Sequence, residues 1–289
     1  MTEALVARGS FWMFADATLA ARIDRAESRL TSSAAEAIRD AGLQKRCVIL
    51  PIAGGTAVYA GPAAPMNKLI GLGFDGPLDL SLLNEVEREW RGRAEPVRVE
   101  LSILAHPTVG ELLTGRGYRL HGFENVLGRS LKTLEPAKLN PELTVEVLQD
   151  NDSSTWMDIA VTSFLELDGT GSGPDDSLSR EEMVRVLSDF MVVPGYVRYL
   201  GRIGGQAVGE AAMRLDGGLA QICGAGTLPA FRGRGMQKAL LGRRLADAQG
   251  AGCDLAVVTT APGSRSQANV MRRGFELLYT RAVLVKTWD

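Results

Sequence analysis

Residues 224–241, GAGTLPAFRGRGMQKALL, run from an apolar strand through Pro229 into a glycine-rich turn and out along a helix. A turn of this kind leaves several main-chain N–H groups unpaired at the positive end of a helix dipole, where an anion such as phosphate is stabilised. Gly233 and Gly235 let the main chain approach an anion closely, and Arg232, Arg234 and Lys238 add positive charge within about two turns. Two other phosphate motifs do not fit. The Walker sequence needs Lys-Ser or Lys-Thr after its glycines, and the only Lys-Thr pairs, at Lys132 and Lys286, lack the glycines. A dinucleotide fingerprint needs a third glycine that neither Gly224/Gly226 nor Gly233/Gly235 possesses.

Outward from this stretch, strands and helices alternate, which predicts a mixed α/β fold. The strands YVRYLGRI, QAVGEAAMRL and GLAQICGAGTL precede the turn, and DLAVVTT, the helix RSQANVMRR and the strand pattern FELLYTRAVLVKTW follow the amphipathic helix. Before them come the strand LTVEVL, the helix TWMDIAVTSFLEL, the loop DGTGSGPDDSL, and a helix whose Ser179 and Glu182 suit a capping box. The first half reads as a helical pattern over 16–41, with one or two helices preceding a hairpin of RCVILPIA and TAVYAG, then a strand KLIGLGF, a helix SLLNEVEREW, a strand VRVELSIL and a short helix TVGELL that stops by Gly117. The segment 133–141, TLEPAKLNP, carries two prolines and no periodicity, and is the expected boundary between units 1–132 and 142–289. A weak repeat supports two units: ILAHPTVGELLTGRGYRLHGFENVLGR resembles VTTAPGSRSQANVMRRGFELLYTRAVLVK, with Gly117-Tyr118 matching Gly274-Phe275 and Val126-Leu127 matching Val283-Leu284.

Composition narrows the function classes. The 289 residues are 45% hydrophobic and 23% charged, which excludes a disordered chain and a polytopic membrane protein. A formal net charge of -2 supplies no global basic field for nucleic acid or an anionic membrane, so neither is an expected partner. Cys47, Cys223 and Cys253 have no CxxC spacing and only His106 and His121 accompany them, so no metal site is expected. The N-terminal MTEALVARGSFWMF lacks a signal-peptide pattern, which gives a cytoplasmic expectation.

With strand, proline, turn and helix in place, the second half resembles the GNAT superfamily of N-acetyltransferases. That family's [QR]xxGx[GA] signature grips the pyrophosphate of acetyl-CoA; Arg232 and Gly235 fill its first two fixed positions, while Gln237 replaces the final Gly or Ala. The family's later CoA-contacting helix ends in Gly-Phe, as SRSQANVMRRGF does, with Ser266 and Asn269. The resemblance implies two tandem GNAT-like acyl-CoA N-acyltransferase units: 142–289 catalytic, and 1–132 a degenerate copy in which Asp75, Asp79 and Glu85 of GFDGPLDLSLLNEVERE would repel a pyrophosphate. It also implies that Gly226, Thr227 and Leu228 pair with the pantetheine arm through their main chain, and that Arg232, Gly233, Arg234, Gly235, Met236, Gln237 and Lys238 form the pyrophosphate turn. The implied reaction is direct transfer from acetyl-CoA, a co-substrate, to a primary amine of a small molecule or peptide in a ternary complex. The chain would act as a monomer or homodimer.

The acid–base groups are less legible. Where the family places a carboxylate on the strand before the turn, this chain has Cys223, with Gln221 further back; where it places a tyrosine, this chain has Val270. Glu210 on the adjacent strand and Tyr279 on the last one are the catalytic candidates, Cys223 is a weak nucleophile candidate without a nearby histidine in the same half, and Glu166 and Asp168 border the loop. With no obvious base, the expected enzyme positions reactants and lets water relay the proton. The alternative reading is a non-catalytic CoA-binding or assembly module.

Overall fold

The computed structural model describes residues 13–44, 46–62, 64–132, 134, 140–166 and 179–288, and all of its strands join one sheet. Asp168, the loop 168–178 and most of the expected 133–141 linker lie outside the described residues. The first half contributes α1 (Ala17–Asp40), β1 (Val48–Ile52), β2 (Gly55–Tyr59), β3 (Lys68–Ile70), α2 (Leu80–Arg91), β4 (Val97–Ser102), α3 (Pro107–Gly115) and β5 (Arg119–Ser130). The second contributes β6 (Leu143–Val147), α4 (Ser153–Leu165), α5 (Arg180–Met191), β7 (Tyr196–Ile203), β8 (Gln206–Asp216), β9 (Leu219–Thr227), α6 (Met236–Gly250), β10 (Leu255–Thr260), α7 (Arg265–Met271) and β11 (Glu276–Lys286).

The strand order is β1-β2-β3-β4-β11-β5-β10-β9-β8-β7-β6. The last strand of each half thus lies inside the sheet of the other: β11 separates β4 from β5, and β5 separates β11 from β10. The repeat seen in the sequence is expressed here. Val126 pairs with Tyr279 and Gly122 with Val283, Asn125 with Thr280 and Phe123 with Ala282, a register that places Glu124 opposite Arg281 at the centre of a local twofold. Gly117 and Gly274, each ending a helix at positive φ (+87° and +79°), lead into these two strands.

Helices cover both faces. Alternation along the strands sends Tyr199, Ala211 and Leu127 toward α6 and α7, while Leu200 and Ala212 meet α4 and α5, and Val126 and Val58 face α1. Burial of such two-sided strands leaves little room for charge, yet one polar cluster sits under α1. Asp24 and Arg281 are both almost wholly buried and bonded at 2.5 Å, Tyr279 donates its hydroxyl to the same Asp24 oxygen at 2.6 Å, and Lys68 bridges Glu100 and Glu27. Although α1 belongs to the first half, it also binds the second through Arg22–Asp254 and Arg29–Asp216. No described helix is long and apolar enough to cross a membrane.

Caps explain where most helices begin. Asp16, Asp79, Ser179 and Ser264 accept main-chain N–H bonds at the starts of α1, α2, α5 and α7, with Ser179 and Glu182 forming the expected reciprocal box. Helix α6 starts instead on Gly235, which has no side chain to offer.

Candidate functional site

Two strands that run parallel and then part create the site. β9 pairs with β10 over Leu219–Gln221 only, the last pair being Gln221 with Val257; beyond it β10 stays with β5 and β9 stays with β8. A bulge marks the parting, because Cys223 and Gly224 of β9 stand against the single residue Ala212 of β8. Bulging leaves carbonyls without ladder partners, and Arg244 of α6 supplies them. Its buried guanidinium donates to Ala212 O at 2.9 Å, Cys223 O at 2.8 Å and Leu240 O at 3.3 Å. Burial lowers its pKa to about 10, with Glu210 opposing the fall.

The turn that follows β9 aims α6 at the mouth of this slot. Gly233 and Gly235 have φ of +79° and +91°, values that strain any residue with a Cβ. Met236, the first helical residue, is buried and fastens the helix to the sheet. A Cβ on Gly209 or Gly201 would lie 2.5 Å from Met236 Cγ or 2.3 Å from its Sδ, so these strand glycines are the socket. Met236 therefore offers a ligand only its main chain. Gln237 donates to Thr227 Oγ1 at 3.3 Å, tying the helix start to the end of β9. Arg232 donates to Thr227 O at 3.3 Å and Glu166 O at 2.8 Å, bracing the turn against the end of α4, and Arg234 lies over the Phe231 ring at 5.5 Å. No side chain caps α6, so no N-cap hydrogen bond occupies its first N–H groups, the kind of helix start at which an anion can be stabilised. The first half differs at the equivalent place. Asp79 folds onto Ser81 N and Oγ, both at 2.7 Å, so a carboxylate already occupies the start of α2, and Asp75 is held by Arg25 at 2.6 Å.

On the opposite face from α6 the parted strands open into a cavity of about 410 Å³, roofed by α1, α4 and α5. Glu210 lines it, 1% exposed, with Oε1 lacking any hydrogen-bond partner. Burial pushes its pKa up to about 7; Arg244 and the Gly226 N–H offset that only in part. Backbone and carboxylate come this close because residue 226 is glycine: a Cβ there would lie 2.7 Å from Glu210 Oε1 and 2.4 Å from Ser163 Cβ.

The other sequence candidates fall elsewhere. Tyr279 is buried against α1, holds Asp24, and is not among the residues lining the cavity; burial and Asp24 raise its pKa. Cys223 lines the cavity, but burial carries its thiol up to about 12. Ser266 is exposed on α7, and the half-buried Asn269 accepts a bond from Arg272. Sequence reading missed Arg244, Ser163 and the α1 residues Ile23, Glu27 and Leu30 that wall the cavity. The available signal was an arginine among leucines in KALLGRRLA. Among the described residues no group of three or more His, Cys, Asp or Glu side chains converges on a common point.

A scan against protein-family models and a search of curated proteins found no match. Solved structures do match in shape. A GCN5-related N-acetyltransferase from Kribbella flavida superposes with TM-score 0.67 at 16% identity, covering 94% of this chain and 96% of that one. A tandem GNAT protein from the clavulanic acid biosynthesis pathway gives 0.54 at 11% identity over 72% and 69% of the two chains. The C-terminal domain of a putative lysylphosphatidylglycerol synthetase from Agrobacterium fabrum gives 0.51 at 14% over 94% and 92%. The chain has the GNAT fold.

Proposed function

We propose that this chain, built on the GNAT fold, is an acetyl-CoA-dependent N-acetyltransferase that passes the acetyl group directly to a primary amine. One observation carries the reading: the slot between β9 and β10 leads from the uncapped start of α6 to a cavity in which Glu210 presents an unpartnered carboxylate oxygen. In this reading the pyrophosphate of acetyl-CoA sits on the N–H groups of residues 233–238, with Arg234 and Lys238 adding charge. The pantetheine arm lies along the main chain of Gly226, Thr227 and Leu228, and the thioester reaches the cavity through the slot.

Chemistry there needs a proton taken from the attacking amine and one returned to the departing thiolate. Glu210 suits the first task, since a carboxyl near 7 is about half ionised at neutral pH and strong enough to accept a proton when the C–N bond forms. The same proton, now on Glu210, is available to the leaving sulfur, so one group can serve both steps with water between them. Tyr279 has no part in this: its hydroxyl orients Asp24 in the cluster beneath α1. Arg244 positions the reaction, holding the bulge and standing near Glu210. Fixing two reactants across a rigid slot also removes much of the entropic cost of bringing them together.

The non-catalytic alternative gives no account of Glu210, because a carboxyl moved from 4.5 to about 7 by burial destabilises the ionised folded state by about 3 kcal/mol. Release of CoA thiol from acetyl-CoA on adding a panel of primary amines tests the proposal. Binding of acetyl-CoA with no turnover of any amine would favour the binding module.

A further inference from the structure

The cavity's lining restricts which amine can enter it, an inference that rests on the transferase reading above. Its volume, about 410 Å³, is at the small end of ligand sites. Its walls are apolar or aromatic: Trp156 and Phe164 from α4, Met183 and Leu187 from α5, Ile23 and Leu30 from α1. Among the described residues, the charged groups facing it are Arg281, Glu27 and Glu210, and the first two are committed. Arg281 is bound to Asp24; Glu27 accepts from Lys68 at 3.3 Å and Gln221 at 3.2 Å; Glu210 alone keeps an oxygen without a partner. We propose that the acceptor is a primary amine on one compact aromatic or branched aliphatic body, its nitrogen at Glu210 and its body between α4, α5 and α1.

Three acceptor types are disfavoured by the same residues. A free α-amino acid would bring a carboxylate to a cavity bordered by Glu27 and Glu210, with Arg281 already paired. A polyamine or an aminoglycoside would bury additional ammonium groups where the described walls are apolar and Glu27, the other carboxylate among them, is already engaged by Lys68 and Gln221. The proposal also gives the first half of the chain a role in recognition, since α1 contributes Ile23, Glu27 and Leu30 to the wall.

The test compares 2-phenylethylamine with L-phenylalanine, which differ by one carboxylate, alongside spermidine and kanamycin, on the full-length chain. Acetyl-CoA binding is measured separately by calorimetry. The expected kcat/KM for 2-phenylethylamine exceeds that for each of the other three by on the order of 100-fold. Val186→Trp, which fills the cavity from α5, should lower it at least tenfold with acetyl-CoA affinity unchanged; Met183→Trp serves if the first variant does not fold. Acetyl-CoA binding with phenylalanine, spermidine or kanamycin preferred, with none of the four turned over, or with full activity in a folded tryptophan variant, overturns the acceptor assignment and leaves CoA binding standing. Absence of both acetyl-CoA binding and turnover overturns the transferase reading and this inference together.

Discussion

Replacing Glu210 by Gln separates its two consequences, one for rate and one for stability, and predicts opposite signs for them. In the unfolded chain the carboxyl titrates near 4.5, and in the folded cavity near 7. The folded state thus holds this proton more tightly across that window. Its contribution to stability is full below about pH 4.5, is lost as pH rises toward 7, and stays lost above it. A difference of about 2.5 in pKa corresponds to about 3 kcal/mol. Glu210→Gln lacks this loss, so its unfolding free energy at pH 8 should exceed that of the parent by up to about 3 kcal/mol, less whatever its amide forfeits beside the unpartnered Oε1 site. Activity should fall instead, by roughly 10²–10⁴-fold in kcat, as for a lost general base. Log kcat/KM of the parent should bend near pH 7, with activity lost below it, and the bend should vanish in the variant. Urea unfolding at pH 5 and pH 8, together with steady-state thiol release across pH 5.5–9, measures both. A variant within tenfold of the parent, and a parent profile set by the amine's own pKa alone, would refute the base assignment and restore a water relay.

Gly226→Ala should destabilise the fold or displace Glu210 by about 1–3 kcal/mol, because its Cβ meets Ser163 Cβ at 2.4 Å; adding Ser163→Gly should recover part of the loss in melting temperature. Cys223→Ala should retain turnover and show no change in burst kinetics, since a thiol pushed to about 12 is no nucleophile at pH 7; a CoA burst without acceptor that disappears in the variant would point to an acyl-enzyme. A fragment of residues 140–289 should fail to fold alone, because β10 and β11 both lose β5, whereas co-expression with residues 1–134 should restore a soluble complex. Size-exclusion chromatography and circular dichroism read that outcome, and a cooperatively folded, monomeric fragment would contradict it.

Local features of this fold were legible because local rules set them. The 16–41 pattern matches α1, the Ser179–Glu182 box is formed, and the glycines after Pro229 bring α6 to the slot. What escaped depends on distant partners. Nothing in the residues of β5 and β11 says that each completes the other half's sheet; their repeat predicts likeness, and only the register reveals a shared twofold. Glu210 sits in VGEAAM, where an acid among apolar residues reads equally well as a solvent-facing strand position, and its burial depends on α4 and Gly226 arriving from elsewhere. Tyr279 looked available on a terminal strand, yet α1 lies over it and Asp24 holds its hydroxyl. The contribution of α1 to the cavity was hidden by its place in the first half of the chain.

Calorimetric titration with acetyl-CoA tests the central claim most directly. One site per chain is expected, because no side chain caps the start of α6 while Asp79 fills the corresponding place at α2. At 100 times the dissociation constant the ligand should raise the unfolding free energy by about 2.7 kcal/mol, and Gly235→Val should abolish the heat while the protein stays folded. No heat and no shift in melting temperature for the parent chain, or undiminished binding by Gly235→Val, would contradict the account.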